Sequence, residues 1–157
     1  MARTLSTQTL ADIEGFCSRY PSRLAALLPS LHLVQKEHGY ISREAELDVA
    51  EQLGVPATRV REVVSFYTMF HDAPTGRHVV KICRNLPCQM RGADKLMARA
   101  KALLDIDFDE TTPDGRVTLA HEECLASCGT GPMLWYNGTL VENLTEDGLQ
   151  TFLEGLT

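Results

Sequence analysis

His78-Val79-Val80-Lys81-Ile82-Cys83-Arg84-Asn85-Leu86-Pro87-Cys88 is the segment from which the organisation of this chain can be worked out in both directions. Its first six residues are rich in Val and Ile, whose β-branched side chains fill a pleated surface, and they predict a short strand. The strand ends on a cysteine, and a second cysteine follows after four residues. Downstream, Ala93, Leu96, Met97, Ala100 and Leu104 share one face of a helix. Thr112-Pro113-Asp114-Gly115 reads as a turn, because proline presets its backbone angle and glycine closes it. Val117 to His121, Met133 to Tyr136 and Thr139 to Val141 predict three more strands. Asn137-Gly138 between the last two tolerates the positive φ of a two-residue hairpin. Thr145 suits the cap of a final helix, with Leu144 packing on Leu149 as a hydrophobic staple. Leu149, Phe152, Leu153 and Leu156 supply that helix's buried face.

The order strand, helix, strand, strand, strand, helix predicts a mixed sheet with helices packed on it, a thioredoxin-like arrangement among others. Upstream the periodicity is helical. Leu24, Leu27, Leu28, Leu31 and Val34 follow one helix face, and Gly39 lies just past its end. Ser42 can cap the next helix, with Glu44 and Glu46 in its first turn and Leu47, Ala50 and Leu53 facing inward. Pro56 suits the start of another, whose stripe is Val60, Val63, Val64 and Tyr67. A weaker segment surrounds Leu10, Ile13 and Phe16. The polar stretch His71 to Arg77, with Pro74 and Gly76, separates the two patterns. The expected class is α+β, with an N-terminal helical bundle over residues 1–75 and a mixed-sheet domain over residues 76–157.

Composition narrows the functional classes. The chain has 157 residues, 44% of them hydrophobic, which suits one compact body or two small ones rather than a large enzyme. Fifteen basic against twenty-one acidic side chains give a net charge of −6, which argues against nucleic acid as the main partner. Residues 78–157 hold seven basic and twelve acidic side chains, so most of the excess lies there. The N-terminus lacks the apolar core of a secretory signal, and no stretch approaches the roughly 20 apolar residues of a membrane span. A cytoplasmic chain without direct membrane insertion is expected. In a reducing compartment, close cysteines are more often metal ligands or redox thiols than structural disulfides.

Four of the five cysteines form two pairs, Cys83-x4-Cys88 and Cys124-x3-Cys128, with thirty-five residues between the pairs. Each pair lies where a predicted strand enters a loop, so two loops at one sheet edge can present four thiolates to a soft metal centre, either zinc or iron-sulfur. Zinc ribbons favour tighter C-x2-C knuckles, and a thioredoxin dithiol needs C-x-x-C at a helix N-terminus. The longer loops suit a wider cluster in which each pair grips one iron, and Gly129 and Gly131 can bring backbone close to it.

The local sequence around these cysteines resembles the thioredoxin-like 2Fe-2S subunit of the NADH dehydrogenase module of respiratory complex I. The resemblance runs through Val64-Ser65-Phe66-Tyr67-Thr68-Met69-Phe70, Cys83-Arg84-Asn85-Leu86-Pro87-Cys88, Arg91-Gly92, Glu110 to Arg116 and Glu123-Cys124-Leu125. It extends from about residue 10 to the C-terminus, the helical half included. It implies one 2Fe-2S cluster held by Cys83, Cys88, Cys124 and Cys128, and a neighbouring subunit that binds FMN and NADH. The chain has no glycine-rich dinucleotide fingerprint of its own. It is then expected to carry single electrons within a multi-subunit oxidoreductase, with no complete active site, peripheral on the cytoplasmic side of a membrane complex. One departure stands out: Ala126-Ser127 replaces the glycine-alanine that the family commonly has. Ser127 is thereby expected to add a hydrogen bond near a sulfur, and Ala126 to restrict the loop.

Other readings stand beside this one. Equivalent subunits serve NAD-dependent formate dehydrogenases and NAD-reducing or electron-bifurcating hydrogenases. A structural zinc adaptor and a thiol oxidoreductase are alternatives of other classes. Cys17 reads as a small core hydrophobe and His121 as an ordinary strand histidine. Ser65 to Phe70 reads as bundle core and interdomain packing, with a docking face as the other possibility. Arg84 and Arg91 either soften the negative charge of the centre or are solvated.

Overall fold

The computed structural model describes residues 4–157, in two compact units that divide between Pro74 and Thr75. The first unit contains α1 (Thr7–Cys17), a one-turn 3-10 helix (Arg23–Ala26) leading into α2 (Leu27–His38), α3 (Arg43–Leu53) and α4 (Ala57–Phe66). Short polar side chains start these helices: Ser6 accepts the Thr9 N–H at 3.2 Å and Ser42 the Ala45 N–H at 3.2 Å. Gly39 and Gly54 end α2 and α3 in the left-handed region, at φ 81° and 63°. Ile13, Leu31, Val34, Ile41, Val49 and Val60 are fully buried in its core. Each contributes about 1.5 to 3 kcal/mol by leaving water.

Two side chains expected inside this unit lie outside. Leu24 belongs to the 3-10 turn rather than α2, and Leu47 on α3 is 44% exposed. Ala50 and Leu53 face the core as expected, joined by Ala45, Val49 and Glu46 rather than by Leu47. Glu46 can be buried because Arg43 and Arg61 both reach its carboxylate, the latter at 3.0 Å. In the aromatic stretch after α4, Phe70 is buried, whereas Phe66 is 77% exposed.

The second unit contains β1 (His78–Cys83), α5 (Leu86–Met90), α6 (Ala93–Leu104), β2 (Glu110–Thr111), β3 (Val117–Glu122), β4 (Leu134–Tyr136), β5 (Thr139–Val141) and α7 (Glu146–Glu154). The strands form one mixed sheet in the order β2-β3-β1-β4-β5. Every expected strand is present, and Asn137 and Gly138 take the positive φ values, 46° and 87°, that the hairpin requires. Thr145 accepts the Gly148 N–H at 3.1 Å as the cap of α7, and Leu144 and Leu149 enter one core with Val80, Ile82, Leu119 and Leu134. Three short elements go beyond those expected, the two-residue edge strand β2, the five-residue helix α5 and a one-turn 3-10 helix at Cys128–Thr130.

Strand direction brings the cysteine loops together. β1 and β3 run parallel with Cys83 opposite Glu122, so they end level with each other. β4 is antiparallel to β1, with Leu134 opposite Ile82, so it begins at that same end. The segment between β3 and β4 must therefore cross the end of the sheet from which β1 leads into α5.

Candidate metal centre

Cys83 is the last residue of β1 and is 1% exposed. Its N–H donates to the Met133 carbonyl at 3.1 Å, which continues the β1–β4 ladder to the edge of the site. Cys88 lies inside α5 with no exposed surface, its N–H bonded to the Asn85 carbonyl at 2.9 Å. Pro87 near the start of α5 does not break it, because the first N–H groups of a helix need no intrahelical acceptor. Ala93 and Met133 are buried with these two cysteines, and Leu125 is partly buried against them. This first pair thus sits in an apolar shell built from regular structure.

The second pair is held differently. Cys124 is exposed and accepts the Ala126 N–H at its Sγ at 3.4 Å. Cys128 is half-buried at the start of a one-turn 3-10 helix, Cys128–Thr130. Ala126 between them adopts φ 62°, a left-handed conformation that costs a residue with a Cβ about 1 to 2 kcal/mol. The Ser127 hydroxyl does not serve a sulfur, contrary to expectation. It pairs with Thr130 Oγ1 at 2.8 Å and donates to Glu142 Oε1 at 2.5 Å. Thr130 Oγ1 is also within hydrogen-bond reach of that carboxylate oxygen, so the two hydroxyl protons are shared among the three oxygens. These hydroxyls, Ser127 first, hold the Glu142 carboxyl below its ordinary value.

None of the five cysteines is in a disulfide. Burial pushes the Cys88 thiol up to about 11, helped by a hydrogen bond with Cys83 and by the fields of Cys83, Cys128 and Cys124. Cys128 is raised chiefly by burial, then by Cys124, through both its charge and a hydrogen bond, and by Cys83. The structure therefore brings the four sulfurs within electrostatic reach of one another, as two hydrogen-bonded pairs. Four thiols in mutual repulsion resist ionisation unless a cation compensates them, and soft thiolate sets suit zinc or iron-sulfur centres.

One glycine makes room for the set. A Cβ on Gly131 would lie 2.9 Å from Cys88 Sγ, whereas one on Gly129 would meet nothing within 4 Å. The expected close backbone approach thus belongs to Gly131 alone of the two. Among the described residues, no group of three or more His, Cys, Asp or Glu side chains is placed to hold a single metal ion. A 2Fe-2S cluster takes its thiolates as pairs, one pair on each iron, and pairs are what these loops present.

The arginines also connect the loops. Arg84, next to Cys83, donates its backbone N–H to the Glu122 carbonyl at 3.0 Å and pairs its guanidinium with Glu123, next to Cys124. Arg91 Nη1 donates to the carbonyls of Cys128 and Gly129 at 2.8 and 2.6 Å. Their partners could not be found from spacing, because they lie 37 to 39 residues away in sequence. The remaining candidates lie apart from this set. Cys17 is half-buried against the core of the helical unit, and the His121 ring packs edge-on to Phe108 at 5.4 Å between centroids.

Comparison with known proteins gives this constellation a family. The sequence model of the thioredoxin-like 2Fe-2S ferredoxins matches residues 13–157. The chain is 40% identical over 145 residues to an NADH-quinone oxidoreductase subunit of Mycobacterium tuberculosis, covering 92% of this chain and 58% of that protein. It is 38% identical over 143 residues to an NADH-quinone oxidoreductase subunit of Rhizobium meliloti, covering 91% and 85%. The chain thus spans little more than half the length of the mycobacterial relatives it matches. Among solved structures, a chain of an NAD+-reducing NiFe hydrogenase in the air-oxidised state shares the fold with a TM-score of 0.72 at 19% identity, over 83% of this chain and 22% of that one. With an α+β architecture, two cysteine pairs at one end of a mixed sheet and a family match over nearly its whole length, the chain belongs to the thioredoxin-like 2Fe-2S ferredoxins.

Proposed function

We propose that this chain is an electron-transfer subunit of NADH:quinone oxidoreductase, that Cys83, Cys88, Cys124 and Cys128 ligate one 2Fe-2S cluster, and that electrons pass singly between it and the FMN of a partner subunit. The observation that supports this best is the convergence of two thiol pairs at one end of the sheet in a member of a 2Fe-2S family. A bound 2Fe-2S cluster supplies one-electron chemistry, and the protein decides how that chemistry is held and reached. Cys83 and Cys88 anchor the site from buried positions, and Met133, Ala93 and Leu125 keep water from that side. Gly131 leaves Cys88 Sγ unobstructed, and the Ala126 N–H donates to Cys124 Sγ, a bond that favours electron acceptance. The acidic excess of residues 78–157 works against added negative charge.

The exposed side of the site fits a docked partner. Cys124 reaches the surface, and Leu86 and Met90 on α5 beside Cys88 are 66% and 80% exposed. NADH and FMN are assigned to the neighbouring subunit. Among the described residues no helix is long and apolar enough to cross a membrane, and the proposal places the chain peripherally, on the cytoplasmic side of the complex. The fold likeness to the hydrogenase chain supports a second reading, the same electron-carrying role in an NAD-reducing hydrogenase.

Anaerobic purification with native partners tests the proposal. A red-brown protein with an EPR signal after reduction, accompanied by an FMN- and NADH-binding chain and quinone-reducing partners, is the expected result. A colourless zinc protein would overturn the cluster assignment, and a hydrogenase partner would overturn the assignment to NADH:quinone oxidoreductase.

A further inference from the structure

We infer that Arg91 is a positioning residue for the centre, clamping the second cysteine loop onto the first. The inference rests on the assignment of the four cysteines as ligands. Arg91 ends α5, and its backbone N–H bonds to the Cys88 carbonyl at 3.1 Å, so its position follows that of Cys88. From there, Nη1 donates to two consecutive carbonyls, of Cys128 at 2.8 Å and of Gly129 at 2.6 Å. A single residue therefore ties one ligand of each pair.

The geometry of the second loop explains the need for such a clamp. Residues 123–133 carry only a single 3-10 turn, and the loop includes a left-handed alanine. A guanidinium directed at two carbonyls makes charge-assisted bonds, stronger than neutral ones and hard to reproduce with another side chain. The clamp keeps Cys128 facing Cys88 while leaving the sulfurs themselves untouched, and it holds a cation beside a site that becomes more negative on reduction. Arg84 and Glu123 bridge the loops on the Cys83 side through one pair between two exposed, freely rotating side chains, which holds little, whereas Arg91, though exposed as well, is fixed on two backbone carbonyls at once. The two arginines flanking the first pair are therefore unequal.

The full-length chain with Arg91→Met, Arg91→Lys or Arg84→Met separates these roles. In the apo protein, Arg91→Met speeds alkylation of Cys128 by iodoacetamide relative to Cys83, read by peptide mass mapping. In protein reconstituted anaerobically with iron and sulfide, it weakens cluster retention against a chelator by about 10- to 100-fold. It also changes the EPR g-anisotropy of the reduced centre. Arg91→Lys, which keeps the charge and one donor group, recovers part of both effects, and Arg84→Met, which removes a single exposed ion pair, gives smaller effects than Arg91→Met. Wild-type labelling of Cys128 in apo Arg91→Met, or wild-type retention and EPR in the loaded variant, would overturn the clamp. A wild-type chain that takes up no cluster would instead overturn the ligand assignment, and the alkylation comparison would still decide whether Arg91 holds the loop.

Discussion

The two cysteine loops do the same job by different means. Cys83 and Cys88 are set by a strand end and a short helix, are buried, and have apolar neighbours. Cys124 and Cys128 occupy an irregular segment held by side chains: Arg91 on its carbonyls, Ser127 and Thr130 on Glu142, and Arg84 on Glu123. Backbone ladders and a packed core make the first loop an anchor that is present before any metal arrives. The second loop depends on exposed polar contacts rather than on a packed core, with the two bonds of Arg91 the strongest among them, and this suits a segment that must admit the cluster and then close on it.

The largest expected contrast comes from ligand substitution. Cys88→Ser and Cys124→Ser should both abolish the native EPR signal, but only Cys88→Ser should also destabilise the apo protein. Its hydroxyl would enter an apolar site with no exposed surface, at a cost of about 1 to 3 kcal/mol if unpaired. A lowered thermal midpoint for Cys88→Ser beside an unchanged one for Cys124→Ser is the expected result, and equal midpoints would remove the distinction between anchor and closing loop. Next in size is Gly131→Ala, whose Cβ would have to displace Cys88 Sγ from 2.9 Å, an overpacking worth about 1 to 3 kcal/mol. Cluster content should fall in Gly131→Ala and stay at the wild-type level in Gly129→Ala. Equal content in the two would mean that Gly131 is not needed for clearance.

The same contrast governs what could be read from sequence. The strands, the Asn137-Gly138 hairpin and the caps at Ser42 and Thr145 were legible because each depends on residues only a few positions apart. The cysteine spacing was legible for the same reason, and parallel pairing of β1 with β3 then carried one pair to the other. The misreadings involve distant partners or very short elements. The choice between Glu46 and Leu47 as the inward residue of α3 depends on Arg61, fifteen residues away. Helix α5 has five residues and contains a proline, too little for a periodic signal. The direction of Ser127 was set by Glu142, on the far side of the β4–β5 hairpin.

A smaller effect is expected from Ala126→Gly. The substitution relieves a left-handed backbone costing about 1 to 2 kcal/mol, and gives back roughly 0.5 to 1 kcal/mol through the greater freedom of glycine in the unfolded chain. The apo protein should gain at most about 1.5 kcal/mol, visible as a small rise in thermal midpoint. A fall would show that the polar contacts of the second loop have adapted to alanine.

The smallest and most conditional effect concerns Glu142. Hydroxyl donors lower its folded-state pKa, so its contribution is fully present above the ordinary carboxylate value of 4.5 and is lost as pH falls through the lower folded value. Glu142→Gln removes the charge at every pH. At about pH 7 the apo variant should melt slightly below wild type, and the gap should close as the pH falls through the lowered folded-state value, below which both carry a neutral side chain. Because the carboxyl group is exposed, added salt and competing water keep the gap small. A gap that persists unchanged at acid pH would mean that Glu142 holds the second loop by shape rather than by charge. The two loops would then differ only in burial and not in the kind of force that holds them.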